Sequence, residues 1–490
     1  MKYISTRLND KALSTKEAIL RGIASDGGLF MPEELKKINL SSKIKEKMDY
    51  REFAYAIISQ IFDDLNENEL KDAINLAYSK ENFSKENCLD LKKVDDFYLM
   101  ELYYGRTAAF KDFALSLLPY FIKMAKKGQE KIAILTATSG DTGKAALAAF
   151  KDLDDTEIIV FYPTEGVSIV QKYQMMTQEG KNCHAIGIRG NFDEAQSALK
   201  TIFNDKDLEN FFKEKSIRLS SANSINIGRL VPQIVYYFYA YYKLVKSGEI
   251  EDGEEINIGV PTGNFGNILA SYLAKEMGLR IKNFIVASNR NNVLSEFFKT
   301  GVYNADREFY KTNSPSMDIL ISSNLERLLF LKAPQETKKF MEELKNNKSY
   351  KLSEELLESL EEFKGYYMED GEVIDLIGQI FDENSYLMDT HTAVCYGACQ
   401  NYREESGDPR KIIIASTASP YKFPKSIGEA LKINGENEFD LIEKIHKKTS
   451  IEVPENLKSL DKKKLLQDKI IDKEEIKNTV KEILGEDNDN

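Results

Sequence analysis

Twice in this chain a β-branched apolar run ends in a glycine-bearing turn and passes at once into a helix-forming stretch. Lys131 to Ala137 (KIAILTA) leads into Thr138-Ser139-Gly140-Asp141-Thr142-Gly143 and then a helix from Lys144 to Phe150. Ile256 to Val260 leads into Pro261-Thr262-Gly263-Asn264-Phe265-Gly266-Asn267 and then a helix from Ile268 to Met277. Further strands are predicted at 97–103, 157–162, 183–188, 284–287 and 411–415, separated by helices at 168–177, 192–203 and 229–245. Strands that alternate with helices in this way pair in parallel, because each helix is the crossover that returns the chain to the same sheet edge. The pattern predicts an α/β chain with a doubly wound parallel sheet.

The start reads differently. Ser14-Thr15-Lys16-Glu17 is a capping box for a helix through Arg21, and helical periodicity runs from Asp49 to Phe83. Between them, Gly27-Gly28 allows a tight turn. Residues 1–92 are therefore predicted as a mostly helical N-terminal domain. The last fifty residues, 441–490, are predicted as a helical C-terminal tail. The charged stretch 333–380 reads as a peripheral helical insertion, and Gly485 to Asn490 read as a disordered end.

At 490 residues the chain has ample material for several domains, and 42% hydrophobic with 30% charged residues suits a globular protein. A net charge of -12 argues against nucleic acid or an anionic membrane as partner. An anionic small substrate would need a local basic pocket. The start lacks a signal-peptide pattern, and no apolar run approaches the ~20 residues that span a bilayer. Cys88, Cys183, Cys395 and Cys399 make no disulfide framework in a chain of this length. These features predict a cytoplasmic location.

The chemistry-bearing stretch is Glu101 to Leu115 (ELYYGRTAAFKDFAL). Lys111 sits at a predicted helix start, where the positive end of the helix dipole disfavours its ammonium form. Phe110 and Phe113 would desolvate it in the same direction. A neutral lysine amine is what a Schiff base with an aldehyde cofactor requires. Alone, Lys111 also reads as an ordinary surface lysine; the downstream turns are what weigh against that. Gly263 and Gly266 in Thr262 to Asn267 let backbone N–H groups approach an anion at a helix start, which suits a phosphate. Ser139 to Lys144 is not a nucleotide loop, since Thr138 and Ala145 stand where that motif needs glycine and a hydroxyl. It can still grip a carboxylate or phosphate through Ser139, Asp141 and Thr142. Ser416-Thr417 places hydroxyls at a sheet's carboxyl edge, where open α/β sheets bind ligands. His391, Cys395 and Cys399 share one helical face but lack a CxxC pair and a fourth ligand, so no metal is predicted. With three histidines in the chain, a lysine amine is the better candidate base than an imidazole.

Nine stretches in order resemble those of threonine synthases of the branch with a long N-terminal extension. They are EAILRGIASDGGLFMP, GRTAAFKDFAL, TATSGDTGKAA, GNFDEAQ, NSINIGRLVPQIVYY, VPTGNFGNILA, SPSMDILISSNLERLLF, DTHTAV and STASPYKFP. The resemblance covers nearly the whole chain. It implies the fold-type II architecture of pyridoxal 5'-phosphate (PLP) enzymes, similar to the tryptophan synthase β subunit, with two doubly wound open sheets: a large PLP-binding α/β domain from 93–130 and 226–440 and a small α/β domain from 131–225. It implies that Lys111 is the Schiff-base lysine, that Gly263, Asn264, Phe265, Gly266 and Asn267 cradle the cofactor phosphate, and that Thr417 faces the pyridine nitrogen. Ser139, Asp141 and Thr142 would lie beside the substrate or the cofactor's O3', and Asn223, Ser224, Asn226 and Arg229 near the substrate's anionic groups. The implied reaction converts O-phospho-L-homoserine and water to L-threonine and phosphate, in a monomer or homodimer. Two alternatives stay open: a phospholyase releasing 2-oxobutyrate, ammonia and phosphate, and a catalytically silent PLP-binding protein. The sequence departs from the usual family pattern at Tyr104, Arg106, Lys144, Thr390 and Ser419; the histidines commonly found at 104 and 419 bear on substrate specificity.

Overall fold

The computed structural model describes residues 1–126, 128–138, 140–165, 167–190, 192–203 and 205–485. Of the predicted disordered end, 486–490 lie outside the described residues. Two parallel sheets carry the architecture. The larger has six strands in the order 363–367, 281–288, 256–261, 412–416, 97–101, 90–94. All of its pairings are parallel except the last, where Asp90–Val94 runs antiparallel beside Phe97–Glu101. The predicted boundary at residue 92 thus falls inside an edge strand of this sheet. The smaller sheet has five parallel strands in the order 470–472, 183–189, 156–163, 131–137, 217–221.

Helices begin where the sequence offers caps. Ser14 accepts from the Glu17 N–H and opens Thr15–Arg21. The periodic run from Asp49 to Phe83 is two helices, Tyr50–Ile61 and Glu67–Ala77, because Asn66 caps the second by accepting from Asn68 and Glu69. Asn226 caps the 20-residue helix Ile227–Lys246, which is buried almost throughout. An aromatic cluster welds these layers together. Tyr50 packs edge-on against Tyr78, Phe113 and Tyr239, with ring centroids 5.0–5.5 Å apart, and the Tyr78 hydroxyl donates to the Phe113 carbonyl at 3.0 Å. The N-terminal helices therefore buttress the element that carries Lys111.

Two expectations need correction. Residues 333–380 are not only a helical insertion: Phe363–Tyr367 is the edge strand of the large sheet, parallel to Ile281–Ser288. Gly365 makes this possible, since a Cβ there would meet the Ser295 carbonyl oxygen at 2.5 Å. The C-terminal tail is not helical throughout either. Ile470–Asp472 adds an edge strand to the small sheet, and the Gln467 side chain pins it by accepting from the Ala185 N–H and donating to the Cys183 carbonyl. Cys395 and Cys399 pack against the bare Cα of Gly259, where a side chain would overlap Cys399 Sγ. Among the described residues no helix is long and apolar enough to cross a membrane.

Candidate active site

The carboxyl ends of strands from both sheets converge where open α/β sheets bind ligands. From the large sheet, strand Phe97–Glu101 leads to the loop that delivers Lys111. That loop is zipped to the neighbouring strand end: the Phe110 N–H donates to the Thr417 carbonyl (2.9 Å) and the Ser419 N–H to the Ala108 carbonyl (3.0 Å). Ala108 takes a left-handed φ of 58° to make the turn. Buried Asp112 closes it, accepting from the Thr107 N–H and hydroxyl, both at 2.8 Å. Gly105 is required beside it, because a Cβ would overlap the Asp112 carboxylate. Lys111 is the first residue of the short helix Lys111–Leu115, as the sequence predicts. Phe110 lies with its ring centroid 5.6 Å from the amine. Phe113 does not desolvate Lys111: its ring faces Tyr50, Phe83 and Tyr236 in the aromatic core.

The Lys111 side chain is 13% exposed, and its Nζ lies 3.6 Å from Asp141 Oδ2. Burial is the main cause that holds this amine below the ordinary lysine value. Asp141 opposes that shift, while the cations of Lys422 and Arg229 reinforce it. Asp141 opens helix Asp141–Phe150, and Thr138 Oγ1 caps the turn by accepting from the Gly140 and Gly143 N–H groups (2.9 and 3.0 Å). Gly140 has φ 143°, and a Cβ there would meet Gln171 Cδ at 2.6 Å. Its absence lets Gln171 Nε2 donate to Asp141 Oδ1 at 2.7 Å. Burial alone would raise the Asp141 carboxyl, but the charges of Lys422 and Lys111, with hydrogen bonds from Lys422 and Gln171, hold it well below the usual carboxylate range. Thr142 is half-buried one residue further on. Ser139 lies outside the described residues.

The loop 262–267 fits a phosphate. The Ser322 hydroxyl donates to the Gly263 carbonyl (2.7 Å), and Asn324 donates to the Asn264 carbonyl, so both carbonyls are engaged. The N–H groups of Gly263, Asn264, Phe265, Gly266 and Asn267 meet no acceptor among the described residues. Asn267 Oδ1 accepts from the Tyr236 and Tyr237 hydroxyls (2.5 and 2.6 Å), and its buried Nδ2 has no partner among the described residues. Phe265 holds φ 62° and stacks on Phe298, which sets the turn. A run of free donors at the start of helix Gly266–Glu276 calls for an anion. The donor set thus fits the phosphate of PLP.

The remaining expected residues divide. Thr417 is 7% exposed at the end of strand Ile412–Ser416 and is tied to the Lys111 loop. Asn223 bridges two strand ends of the small sheet, donating to the Ala137 carbonyl at 3.3 Å. Ser224 Oγ accepts from Asn324 at 3.4 Å. Arg229 is 2% exposed; its Nη1 donates to the Ala222 carbonyl and its Nε has no partner among the described residues. Asn226 is different: its Nδ2 donates to the Ile19 and Ser221 carbonyls and its Oδ1 accepts from Gly228. Its polar atoms are engaged in capping, which leaves it unavailable to a substrate.

Sequence reasoning missed three supports. Lys422, 0% exposed, donates to Asp141 Oδ1 at 2.6 Å and to the Thr107 carbonyl at 2.9 Å. Arg327, also 0% exposed, donates to the Phe30 and Ile225 carbonyls and to Asn324 Oδ1, linking the N-terminal domain to the phosphate loop. His391 Nδ1 pairs with Asp389 at 2.9 Å while its Nε2 accepts from the Ser316 N–H at 3.1 Å. This orients the loop whose Ser316 carbonyl oxygen lies 2.7 Å from where a Gly263 Cβ would be. The usable signal for Lys422 was a lysine in an aromatic, proline-flanked stretch directly after Thr417. Of the departures from the family pattern, Tyr104 joins Tyr103 and Tyr386 in donating to buried Glu101, and Ser419 is buried against the Lys111 loop.

The fold and this site define a PLP-dependent enzyme of the parallel-sheet class, and residues 87–417 match the family model described as "Pyridoxal-phosphate dependent enzyme". Residues 2–78 match "Threonine synthase N terminus" and residues 392–480 "Threonine synthase, C-terminal". The chain belongs to the threonine synthase family. It is 33% identical to "Threonine synthase" of Saccharomyces cerevisiae, over 99% of this chain and 98% of that one. A crystal structure of PLP-bound threonine synthase from Brucella melitensis superposes with a TM-score of 0.85, at 32% identity and 99% coverage of both chains. "Threonine synthase-like 1" of Homo sapiens is 38% identical over 86% of this chain, which spans 58% of that protein's length.

Proposed function

We propose that this protein converts O-phospho-L-homoserine and water to L-threonine and inorganic phosphate. The observation that carries this reading is a buried cation that faces Lys111. Arg229 forms no ion pair among the described residues, and its Nη1 donates to the Ala222 carbonyl, whereas Arg327 spends its three nitrogens on Phe30, Asn324 and Ile225. Leaving a charge buried and unpaired costs several kcal/mol, so such an arrangement suits an anionic occupant. The cradle accounts for a cofactor phosphate, and the free Nε of Arg229 suits a substrate phosphate.

PLP, when bound, supplies an electron sink for negative charge developing on the substrate's carbon atoms. The chain's residues supply position and protons. The backbone N–H groups of 263–267 and Asn267 Nδ2 would hold the cofactor phosphate, and the neutral Thr417 hydroxyl would face the ring nitrogen. Lys111 Nζ, with Asp141 3.6 Å away, takes and returns protons at the substrate's reacting carbons. Arg229 orients the substrate phosphate so that it departs from the γ-carbon, which takes from Lys111 the proton removed at the β-carbon; water then adds at the β-carbon, and its second proton balances the one taken up by the released phosphate. The partner is a small molecule, with neither nucleic acid nor membrane involved, in a cytoplasmic monomer or homodimer.

The test is product identification. PLP-loaded protein is given O-phosphohomoserine, and amino acid, keto acid and phosphate are quantified. Threonine and phosphate in equal amounts support the synthase. 2-Oxobutyrate, ammonia and phosphate would replace it with a phospholyase and direct attention to Tyr104 and Ser419. Bound PLP with no phosphate release would contradict the substrate assignment.

A further inference from the structure

Two buried lysines compete for one carboxylate. Lys422 Nζ is 2.6 Å from Asp141 Oδ1, whereas Lys111 Nζ is 3.6 Å from Asp141 Oδ2. Lys422 is also held by the Thr107 carbonyl, and Gln171 Nε2 donates to the same Asp141 Oδ1. Lys422 therefore has two oxygen acceptors in a fixed geometry, while Lys111 has only the more distant carboxylate oxygen. Chain order enforces the arrangement: the one-turn helix Pro420–Lys422 follows Thr417 directly, so that strand end delivers both Thr417 and Lys422.

One carboxylate in a buried site neutralises one ammonium. The charged groups that face Lys111 are Asp141 from helix Asp141–Phe150, Lys422 from the turn after strand Ile412–Ser416, and Arg229 from helix Ile227–Lys246. Asp112, the acid on its own helix, is turned to Thr107. With Asp141 matched to Lys422, a protonated Lys111 would be a further cation beside two others.

We propose that Lys422 is a positioning residue that occupies the charge of Asp141 and thereby leaves Lys111 as a free amine, ready to condense with an aldehyde. The condensation joins Lys111 Nζ to the aldehyde carbon and releases the aldehyde oxygen as one water. The proposal rests on the reading of Lys111 as the cofactor's lysine.

The experiment follows Lys111 rather than turnover. Full-length protein stripped of cofactor is mixed with PLP at pH values from about 6 to about 10. The visible band that reports condensation is recorded, and the modified lysine is identified after borohydride reduction and peptide mapping. In Lys422→Met, Asp141 is left with Lys111 as its cation, so the midpoint for condensation moves to higher pH by about one unit or more. Lys422→Arg keeps the charge and restores a midpoint near wild type. Asp141→Asn leaves the Lys422 ammonium unmatched beside Lys111, so its midpoint moves to lower pH; this variant carries the test if Lys422→Met does not fold. An unchanged midpoint in folded Lys422→Met, or in Asp141→Asn, overturns the proposal while leaving Lys111 as the cofactor lysine. A wild-type adduct on another lysine overturns both.

Discussion

Asn324 holds the carbonyl of Asn264 twice, through its backbone N–H at 3.1 Å and its side-chain Nδ2 at 2.9 Å. The same side chain accepts from Arg327, whose other donors reach Phe30 and Ile225. The 262–267 loop is thus held by the N-terminal domain through two residues. Asn324→Ala removes the side-chain bond and strands part of a buried guanidinium. The expected result is PLP affinity lower by about 10- to 100-fold, since an unsatisfied buried polar group costs ~1–3 kcal/mol. Equilibrium binding of PLP checks this, and unchanged affinity would show that the loop stands without Asn324.

Lys111→Ala should lower turnover by ~1,000-fold or more and abolish the cofactor's condensed absorption band, with the melting temperature of the apoprotein nearly unchanged. Steady-state assays, spectra and thermal melts decide it. Normal turnover in this variant would remove Lys111 from the chemistry.

His391 accepts from the Ser316 N–H, while Asp389 receives its other ring nitrogen and the Thr392 hydroxyl. In His391→Leu the Ser316 N–H loses its acceptor and the 314–318 segment loses its hold on Gly263. PLP retention during dialysis should fall several-fold, and His391→Gln should recover part of it by restoring an acceptor. Equal retention in both variants and wild type would refute this coupling.

Lys144 donates to Gln178 Oε1, and its amine is pushed down to about 8, chiefly by burial and then by the charge of Lys463. The folded state therefore binds fewer protons here than the unfolded chain, whose lysine titrates at ~10.4. Folding carries the full penalty below pH ~8, and stability from this group rises between about 8 and ~10.4. Lys144→Met should flatten the rise of melting temperature over that window. An identical pH slope in the variant would show that Lys144 titrates as an exposed lysine does.

The strand–turn–helix units were readable because both of their signals are local. A β-branched run and the glycines after it fall within one window, and Lys131–Ala137 and the 262–267 turn lie where predicted. Asp141 was readable as part of that turn, but not as the carboxylate that Lys422, Gln171 and Lys111 share. Lys422 was not, because its meaning depends on a carboxylate brought to it by the other sheet. Asn226 shows the converse: an asparagine in a polar loop suits a substrate site and a helix cap equally, and its three capping and tethering bonds decide for the cap. Ile470–Asp472 was hidden because three residues among lysines and aspartates carry no period, and only the open edge of strand Cys183–Arg189 makes them a strand. Phe363–Tyr367 was hidden because Gly365 and flanking charges mask a run that is buried on one side only.

The most direct measurement is peptide mapping of the full-length protein loaded with PLP and reduced with borohydride. A pyridoxyl group on Lys111, with Lys422 unmodified, is the expected result. A pyridoxyl group on Lys422, or none on either lysine, would contradict the assignment of Lys111 as the residue around which this site is built.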